Sequence, residues 1–146
     1  MPMKRIALAS DHGGFEQKES IKVWLQSQGY SVKDLGPEND ASVDYPDYAH
    51  AVAKTVKKGE ADFGILVCGT GLGMAIAANK VAGVRAVAVT SVEFARLARE
   101  HNDANVLCLS GRFVDDAVNK NICTAFLTAE FEEGRHARRV AKLEQA

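Results

Sequence analysis

The chain has 146 residues, of which 47% are hydrophobic and 25% are charged, and its formal net charge is −1 at pH 7. This length and composition predict one globular domain over residues 1–146. The near-neutral charge provides no field for binding nucleic acid or an acidic membrane, and no apolar run approaches the roughly 18 residues needed to cross a bilayer. We therefore expect neither nucleic acid nor a membrane as a partner.

Cysteine usage and the amino-terminal sequence bear on the compartment. The three cysteines, Cys68, Cys108 and Cys123, are an odd number without metal-ligand spacing, so they favour a reducing compartment over a disulfide framework. Cys108 and Cys123 lie in apolar segments and are expected to be core residues. The first residues lack the features of a secretory signal. We expect a cytoplasmic protein.

The first third of the chain predicts two strands separated by a helix. Ile6–Ser10 is short, apolar and bounded by turn-favouring residues, which is typical of a strand. From Phe15 the pattern becomes helical, with Leu25 on the apolar face and Lys18 among the charged residues of the other face. Ser31–Leu35 predicts the second strand, which is followed by a loop rich in turn-forming residues.

The central part predicts a helix, a strand and a glycine-rich loop. The helix opens at Tyr45-Pro46 and closes at Lys57-Lys58-Gly59, where positive charge and a glycine are expected. Phe63–Met74 then reads FGILVCGTGLGM, in which a strand typical of one buried on both faces runs into Cys68 and alternating glycines. The helical pattern resumes at Leu72–Lys80.

The last third predicts two more strands and three helices. Arg85–Val89 is the fourth strand, Ser91–His101 is a helix with Ser91 as its N-cap, and Val106–Ser110 is the fifth strand. Asp115–Ala129 predicts a further helix. Beyond it, a basic tail helix is expected at about 135–144.

The alternation of strands and helices predicts the fold. Five strands that alternate with helices form a parallel sheet covered on both faces, which is a Rossmann-like three-layer α/β/α sandwich. Helical periodicity places Phe94 and Val118 on inward faces. Ligands of such sheets bind outside the carboxyl ends of the strands, where Asp11, His12 and Cys68 fall.

The loop after the third strand does not fit the common phosphate-binding patterns. Gly69, Gly71 and Gly73 follow G-x-G-x-G spacing, whereas a dinucleotide fingerprint needs its third glycine where Met74 stands. The Walker pattern is missing, and a cysteine-dependent phosphatase would need an arginine at Met74. The remaining possibility is a loop whose free N–H groups stabilise a carboxylate, a phosphate or an enediolate. Beside it, Cys68 could be a small buried hydrophobe or a thiolate favoured by a helix N-terminus.

Several polar residues have both a structural and a functional interpretation. Asp11 and His12 could cap the first turn or act in catalysis, and the glycines that follow them would let a ligand approach the backbone. Tyr45 could contact a ligand or only begin its helix. Arg135 and Arg139 share a helix face and could clamp a phosphate, although a solvated basic helix end is the ordinary interpretation.

His101 lies at the wrong end of the predicted sheet for a site beside Cys68. Its helix runs antiparallel to the strands, so His101 and Asn102 are expected at the opposite edge, roughly 16 Å from Cys68 across a five-residue strand. If His101 is catalytic, it must serve a neighbouring chain, which predicts a homodimer with shared active sites. The alternative is a helix-terminal histidine facing the negative end of the dipole.

Together these segments resemble the ribose-5-phosphate isomerase B family, which also holds galactose-6-phosphate and allose-6-phosphate isomerases. The match covers nearly the whole chain. Its specific marks are SDHGG at 10–14, DYPDYA at 44–49, GILVCGTGLGMAIAANKV at 64–81, REHNDANVLCLSGR at 99–112 and GRHARR at 134–139. The resemblance implies one sugar-phosphate isomerase domain with a C-terminal basic helix, and an aldose–ketose interconversion through a cis-enediolate with no metal and no organic cofactor.

The resemblance also implies roles for individual residues. Cys68 would move a proton between C1 and C2, Thr70 and the backbone of Gly69–Gly73 would hold the enediolate oxygen, and Asp11 with His101 would assist ring opening. Some members replace the cysteine and carry an acid at the position of Met74, which is neutral here. The phosphate would be held by His12, Arg112, Arg135 and Arg139, and the sugar would be contacted by Tyr45 and Asn102.

We therefore expect an isomerase that interconverts ribose 5-phosphate and ribulose 5-phosphate as a homodimer or tetramer with shared sites. Two alternatives stay open. One is isomerisation of a four- or six-carbon sugar phosphate such as allose or galactose 6-phosphate, because the preferred length depends on pocket depth around the Gly36–Tyr45 loop. The other is a non-catalytic phosphosugar-binding module with the same sheet.

Overall fold

The computed structural model describes residues 3–146, and these contain one five-stranded parallel sheet. The strand order is β2-β1-β3-β5-β4, and each neighbouring pair is parallel. The predicted strands differ from the observed ones only at their ends. The strands are β1 (Arg5–Ser10), β2 (Ser31–Asp34), β3 (Phe63–Cys68), β4 (Ala86–Ala88) and β5 (Val106–Ser110).

Residues 3–146 contain six α-helices, of which the first five cover the two faces of the sheet. One buried apolar cluster lies between the sheet and α1, α4 and α5, and a second lies between the sheet and α2 and α3, so the predicted three-layer sandwich is confirmed. No helix in this described range is long and apolar enough to cross a membrane. The helices are α1 (Phe15–Ser27), α2 (Tyr45–Lys57), α3 (Leu72–Ala78), α4 (Val92–Asn102), α5 (Asp116–Thr128) and α6 (Arg135–Leu143).

The order of the strands determines where a ligand crevice can form. The chain passes from β1 to β2 on one side and then returns to place β3 on the other side of β1. A crevice opens at the carboxyl edge of an α/β sheet where the strand order reverses in this way. Asp11 directly follows β1 and Cys68 ends β3, and the pairing of Ser10 with Val67 places these ends side by side. The fold therefore brings both residues to the switch point.

The environment of Lys18 differs from the prediction. Its side chain is fully buried, and Nζ donates hydrogen bonds to both carboxylate oxygens of Asp34 and to the carbonyl of Pro37, each at 2.9 Å. A buried ammonium group is tolerated when it is paired and hydrogen-bonded in this way. Helical periodicity could not reveal this burial because the partner carboxylate belongs to β2.

Two apolar residues predicted to face inward are exposed instead. Phe94 on α4 is 64% exposed and Val118 on α5 is 41% exposed. The small side chains of Ala95 and Ala98 hold α4 against the sheet, and Ile122 and Phe126 do the same for α5. The periodicity was correct for a helix, but it did not show that alanines provide the closest approach of α4 to the sheet.

Candidate active site

The predicted site residues fall into two groups at opposite edges of the sheet. We call the group at the carboxyl edge the thiol edge and the group at the amino edge the histidine edge. The thiol edge comprises Asp11, His12, Tyr45, Cys68, Gly69, Thr70, Gly71, Gly73 and Arg112. The histidine edge comprises His101, Asn102, Arg135 and Arg139, together with Glu132 and His136, to which the sequence analysis assigned no role.

Cys68 is the last residue of β3, and its sulfur is oriented by the loop that follows. The side chain is only 5% exposed, and the N–H of Gly71 donates a hydrogen bond to Sγ at 3.0 Å. Gly71 has a φ of +81°, and a Cβ there would lie 3.2 Å from main-chain atoms of Cys108 and Leu109. Only glycine fits this turn without strain, and the turn points an N–H at the thiol.

The other two cysteines are core residues, as predicted. Cys108 and Cys123 are both buried and unpaired. Burial raises the pKa of the Cys108 thiol far above its ordinary value, and the nearby Cys68 raises it further. Burial likewise raises the pKa of Cys123 to about 12. Both thiols therefore stay protonated near neutral pH, which leaves Cys68 as the thiol suited to chemistry.

The residues after Cys68 present hydrogen-bond donors beside the sulfur. The hydroxyl oxygen of Thr70 accepts a hydrogen bond from the N–H of Leu72 at 3.2 Å. Among residues 3–146, the N–H groups of Gly69 and Thr70 have no protein acceptor. These N–H groups and the exposed Thr70 hydroxyl proton are available to an oxyanion next to the thiol.

Tyr45 belongs to the same edge because it packs on Gly73. A Cβ at Gly73 would lie 2.6 Å from a ring carbon of Tyr45 and 3.1 Å from its hydroxyl oxygen. The glycine thus allows the first residue of α2 to lie against the first turn of α3. Tyr45 is partly exposed there, so its hydroxyl can reach a bound ligand.

Asp11 and His12 each make one structural hydrogen bond. Asp11 Oδ1 accepts from the N–H of Gly14 at 3.0 Å, so the capping role considered for Asp11 is observed. His12 Nδ1 accepts from the N–H of Val43 at 3.2 Å. A ring nitrogen that accepts carries no proton, so a neutral His12 has its proton on Nε2. The capping bond uses only one carboxylate oxygen of Asp11, and the exposed Nε2–H of His12 can donate to a ligand.

Arg112 is joined to the thiol edge by main-chain hydrogen bonds. The N–H of Gly111 donates to the carbonyl of Cys68 at 2.8 Å, and the N–H of Arg112 donates to the carbonyl of Gly69 at 3.1 Å. Ser110 Oγ also donates to the Gly69 carbonyl, at 2.7 Å. The Arg112 guanidinium consequently lies over Gly69, where an added Cβ would be 3.4 Å from Cζ.

The histidine edge is formed where α4 ends and α6 begins. The rings of His101 and His136 stack with centroids 4.4 Å apart and an angle of 8° between their planes. Glu132 Oε1 lies 3.6 Å from Nε2 of each histidine. Asn102 and Arg139 line the same cavity of about 310 Å³ as the two histidines. Arg135 is the exposed first residue of α6.

Charge at the histidine edge is distributed unevenly. Partial burial lowers the pKa of His136, and the positive charges of His101 and Arg135 lower it further.

In the part of the chain that the structure describes, Arg112, Arg135 and Arg139 pair with no carboxylate. Their charges are therefore free to bind an anion.

The two edges do not meet within one chain. Cys68 pairs with Ser110 at the carboxyl end of β5, whereas His101 precedes Val106 at its amino end. The four residue-to-residue steps from Val106 to Ser110 alone span about 13 Å at the rise of a parallel strand. A single chain thus presents two incomplete groups of functional side chains.

Sequence reasoning missed His136 and Glu132. His136 lies within the GRHARR segment, and it is the buried residue of α6 between two exposed arginines. The only signal in the sequence was a histidine among the arginines of that segment, and its burial is seen only in the structure. Glu132 lies before α6 in an irregular segment, and nothing in its local sequence indicated that it approaches two imidazoles.

Comparison with known proteins gives consistent matches over nearly the whole chain. A family model described as Ribose/Galactose Isomerase matches residues 6–143. The ribose-5-phosphate isomerase B of Escherichia coli is 48% identical over 138 residues, which are 94% of this chain and 93% of that protein.

Solved structures match equally well. A Clostridium thermocellum ribose-5-phosphate isomerase B has a TM-score of 0.96 and 50% identity, with 97% of this chain and 95% of that one covered. The Mycoplasma genitalium ribose-5-phosphate isomerase B with bound ribulose-5-phosphate has a TM-score of 0.93 and 52% identity, with 97% and 94% covered.

Proposed function

We propose that this chain, which belongs to the ribose/galactose isomerase family, interconverts ribose 5-phosphate and ribulose 5-phosphate. The observation that carries the proposal is the thiol edge, where the N–H of Gly71 is directed at Cys68 beside the unpaired donors of Gly69 and Thr70. Relatives with close to half of their residues identical over nearly their full length support the same substrate, and one of them binds ribulose-5-phosphate.

Isomerisation needs a base and a place for negative charge. The Cys68 thiolate takes the proton from C2 of the open-chain aldose, the C2–H electron pair forms the C1–C2 double bond, and O1 becomes negative. The donors of Gly69 and Thr70 stabilise that charge, which develops only as the reaction proceeds. The thiol then returns a proton to C1, and the hydroxyl proton on O2 passes to O1, which leaves the ketone.

The cyclic form of ribose 5-phosphate must open before this step. When the C1–O4 bond breaks, the ring oxygen gains a proton and the hydroxyl on C1 loses one. In our proposal Asp11 at the thiol edge and His101 at the histidine edge share this exchange. Tyr45 and Asn102 contact the sugar hydroxyls.

The phosphate is bound from both edges. His12 and Arg112 approach it from the thiol edge, and Arg135 and Arg139 approach it from the histidine edge. Support comes from the lack of ion pairs at the three arginines within residues 3–146, since an arginine without a carboxylate partner is available to a phosphate. The proposal requires no metal and no organic cofactor.

The separation of the edges leads us to propose a homodimer with shared sites. Leu72 and Ile76 lie on the outer face of α3, next to the glycine loop, and are 61% and 64% exposed. Exposed apolar side chains beside an incomplete site are typical of a surface that a second chain covers. A two-fold dimer would place the histidine edge of each chain against the thiol edge of its partner and so complete two equal sites.

Two further parts of the proposal concern the domain organisation and the location of the protein. We infer that residues 1–146 act as one domain, because the two core clusters share the single sheet. We infer a cytoplasmic location from the three unpaired cysteines, which a reducing compartment preserves.

The variant Cys68→Ala tests the proposal, with Cys123→Ala as the control. We expect Cys68→Ala to bind ribose 5-phosphate but to lose isomerisation and exchange of the C2 proton with solvent by about 10²- to 10⁴-fold, the usual contribution of a general base. Cys123→Ala removes a thiol from the core and should remain active. Turnover by Cys68→Ala at the wild-type rate would overturn the assignment.

A substrate panel addresses the alternative sugars. Values of kcat/KM for four-, five- and six-carbon aldose phosphates would rank chain length directly. We expect ribose 5-phosphate to rank first. A higher value for allose or galactose 6-phosphate would assign the alternative activity, and tight binding of every sugar without turnover would indicate a binding module.

A further inference from the structure

We propose that His136 and Glu132 are positioning residues that hold His101 in place for ring opening, an inference that rests on the proposed function. The two imidazole rings lie face to face, with centroids 4.4 Å apart and planes 8° from parallel. The side chain of His101 is 39% exposed, whereas that of His136 is only 11% exposed. His136 therefore forms the inner surface against which the more exposed ring of His101 packs.

Glu132 connects the two histidines through both its backbone and its side chain. Its N–H donates to the carbonyl of Glu100 at 3.0 Å, which attaches the segment before α6 to the residue that precedes His101. Its carboxylate is 3.6 Å from Nε2 of each ring. That distance exceeds a direct hydrogen bond, so the contact is electrostatic and favours a proton on either imidazole.

The electrostatics of His136 suit a ring that stays neutral beneath His101. Burial lowers the pKa of His136, the positive charges of His101 and Arg135 act in the same direction, and the opposing effect of Glu132 is smaller. A neutral ring can stack against a protonated one without repulsion between like charges. His136 can therefore support His101 in both of the protonation states that an acid and base must adopt.

A metal ion is a less suitable explanation for this cluster. One donor atom from each of His101, Glu132 and His136 lies within 4.8 Å of the others, which is close enough to consider a metal. However, an ion bound at about 2.0–2.1 Å lies near the plane of each ligating imidazole. Stacked rings hold their planes apart, so one ion cannot lie in both planes unless the stack breaks. The observed geometry favours packing of one ring on the other.

The need for such support follows from where His101 acts. In the proposed dimer His101 reaches a substrate whose reacting carbon is held by another chain, so no hydrogen bond within the thiol edge fixes its ring. A side chain that rotates out of position loses the benefit of proximity, and a misplacement of about 1 Å can cost about 100-fold in rate. The stack with His136 restricts that rotation.

Ring opening can be separated from proton transfer at carbon by starting the reaction from either ribose 5-phosphate or ribulose 5-phosphate. Ribose 5-phosphate is cyclic and must open before C2 can be deprotonated. Ribulose 5-phosphate cannot form a five-membered ring, because its carbonyl is on C2 and the hydroxyl on C5 is esterified. Exchange of its C1 proton with solvent therefore requires Cys68 but no ring opening.

The test compares these two rates in His136→Ala, His136→Phe and Glu132→Gln. One assay measures conversion of ribose 5-phosphate, and the other measures deuterium entry at C1 of ribulose 5-phosphate in D₂O. For His136→Ala we expect conversion to fall by about 10- to 100-fold, with exchange within about 2-fold of wild type. Glu132→Gln should show the same pattern to a smaller extent. His136→Phe, which keeps a flat ring for stacking, should recover most of the loss.

Two controls define the outcomes. His101→Ala should reproduce the pattern of His136→Ala, and Arg138→Ala, on an exposed position of α6, should change neither rate. Equal losses in both assays would overturn the inference, because His136 would then only anchor α6. Unchanged conversion in His136→Ala and Glu132→Gln would overturn it as well.

The activity of the wild-type protein distinguishes a failure of this inference from a failure of the proposed function. Wild-type protein that converts ribose 5-phosphate establishes the function whatever the variants do, whereas wild-type protein inactive in both assays would defeat both proposals. If His136→Ala does not fold, as judged by circular dichroism, Glu132→Gln and His136→Phe carry the test. Selective loss of conversion in Glu132→Gln would then support the inference, and its absence would reject it.

Discussion

The two edges of the sheet hold their functional groups by different means. At the thiol edge, main-chain atoms do most of the positioning, as in the Gly71 N–H on Cys68 and the Arg112 N–H on the Gly69 carbonyl. At the histidine edge, side chains hold one another, as in the stack of His101 and His136. The first arrangement is fixed by main-chain contacts within one chain, whereas the second ends in exposed arginines.

This difference matches the chemistry that we propose for each edge. An enediolate exists only briefly, and its charge is stabilised best by donors that need not move, which a strand end and a tight loop provide. Ring opening and phosphate binding involve substrate groups that change position during the reaction. Side chains at helix ends can adjust to those groups, provided that a neighbour such as His136 limits how far the side chain moves.

The largest expected effect comes from mixing two damaged chains. Cys68→Ala should be nearly inactive, and His101→Ala should lose most of its activity on ribose 5-phosphate. In a mixed dimer one site combines the thiol edge of the His101→Ala chain with the histidine edge of the Cys68→Ala chain, and both of these edges are intact. Random exchange of equal amounts makes half of the dimers mixed, each with one working site, so about a quarter of wild-type activity should return.

This recovery is measured after partial unfolding and refolding of the mixture. The control is each variant treated alone, which should gain nothing. No recovery despite mixed dimers detected by native mass spectrometry would show that the two edges do not share a site.

A second prediction tests whether the backbone positions the thiol. Gly71→Ala strains a residue at a φ of +81° and pushes a Cβ against main-chain atoms at 3.2 Å, which should draw the N–H away from Cys68. We expect kcat to fall by about 10- to 100-fold, since one preorganised donor is lost or displaced. Gly59→Ala is the matched control, because Gly59 has a φ of +75° but nothing within 4 Å of an added Cβ. It should cost only about 1 kcal/mol of stability.

A third prediction concerns phosphate binding at the histidine edge. Arg139→Ala removes an unpaired guanidinium and should raise KM for ribose 5-phosphate by about 10-fold or more, with a smaller change in kcat, since a charged hydrogen bond contributes about 1.5–3 kcal/mol. Arg138→Ala removes the same charge one residue away and should leave KM near wild type. Equal effects of the two variants would point to the general field of α6 and not to a specific contact.

The smallest expected effect is on the free energy of unfolding, through the hydrogen bonds of Asp34 behind the thiol edge. Asp34 holds Lys18 and also accepts from the N–H of Gly36, whose carbonyl accepts from the N–H of Ser10. Burial by itself raises the pKa of Asp34, but the hydrogen bonds from Lys18, Gly36 and Lys22 outweigh it and lower the pKa overall. A carboxyl group with a lowered pKa stabilises the fold above its unfolded pKa, and this stabilisation fades as the pH falls.

Asp34→Asn should therefore lower the free energy of unfolding by about 1–2 kcal/mol at pH 7, and the difference from wild type should shrink below about pH 4. Urea titrations at several pH values measure it. Asp40→Asn, in the exposed loop, is the control and should show no such dependence. A difference that stays constant down to pH 3 would mean that the charge of Asp34 is not what supports this edge.

Much of the fold and of the thiol edge could be read from the sequence because the signals are local. A run such as Ile65–Val67 indicates a buried strand by itself, and alternation with helices then determines which ends share an edge. Lys18 was misplaced because its burial depends on a carboxylate on another strand. Phe94 was assigned inward because periodicity shows that a helix face is apolar but not which of its residues approach the sheet.

The histidine edge was harder to predict because its contacts join distant segments. The helix direction placed His101 correctly at the amino edge, yet nothing local indicated that Glu132 and His136 would meet it. Their approach depends on how α6 packs against the end of α4. That packing is a property of the folded chain, and the sequence shows only a histidine among the arginines of α6.

Helix α6 packs only shallowly on the rest of the protein, and this affects how the protein loses activity. This nine-residue helix buries little besides His136, although it carries both Arg135 and Arg139. Opening such a terminal helix costs far less free energy than unfolding the sheet, so a protease should cut near Gly134 while the core stays intact. The clipped chain would keep its thiol edge and its fold. Inactivation by limited proteolysis would thus precede unfolding, and in the proposed dimer the lost activity would be that of the partner's site.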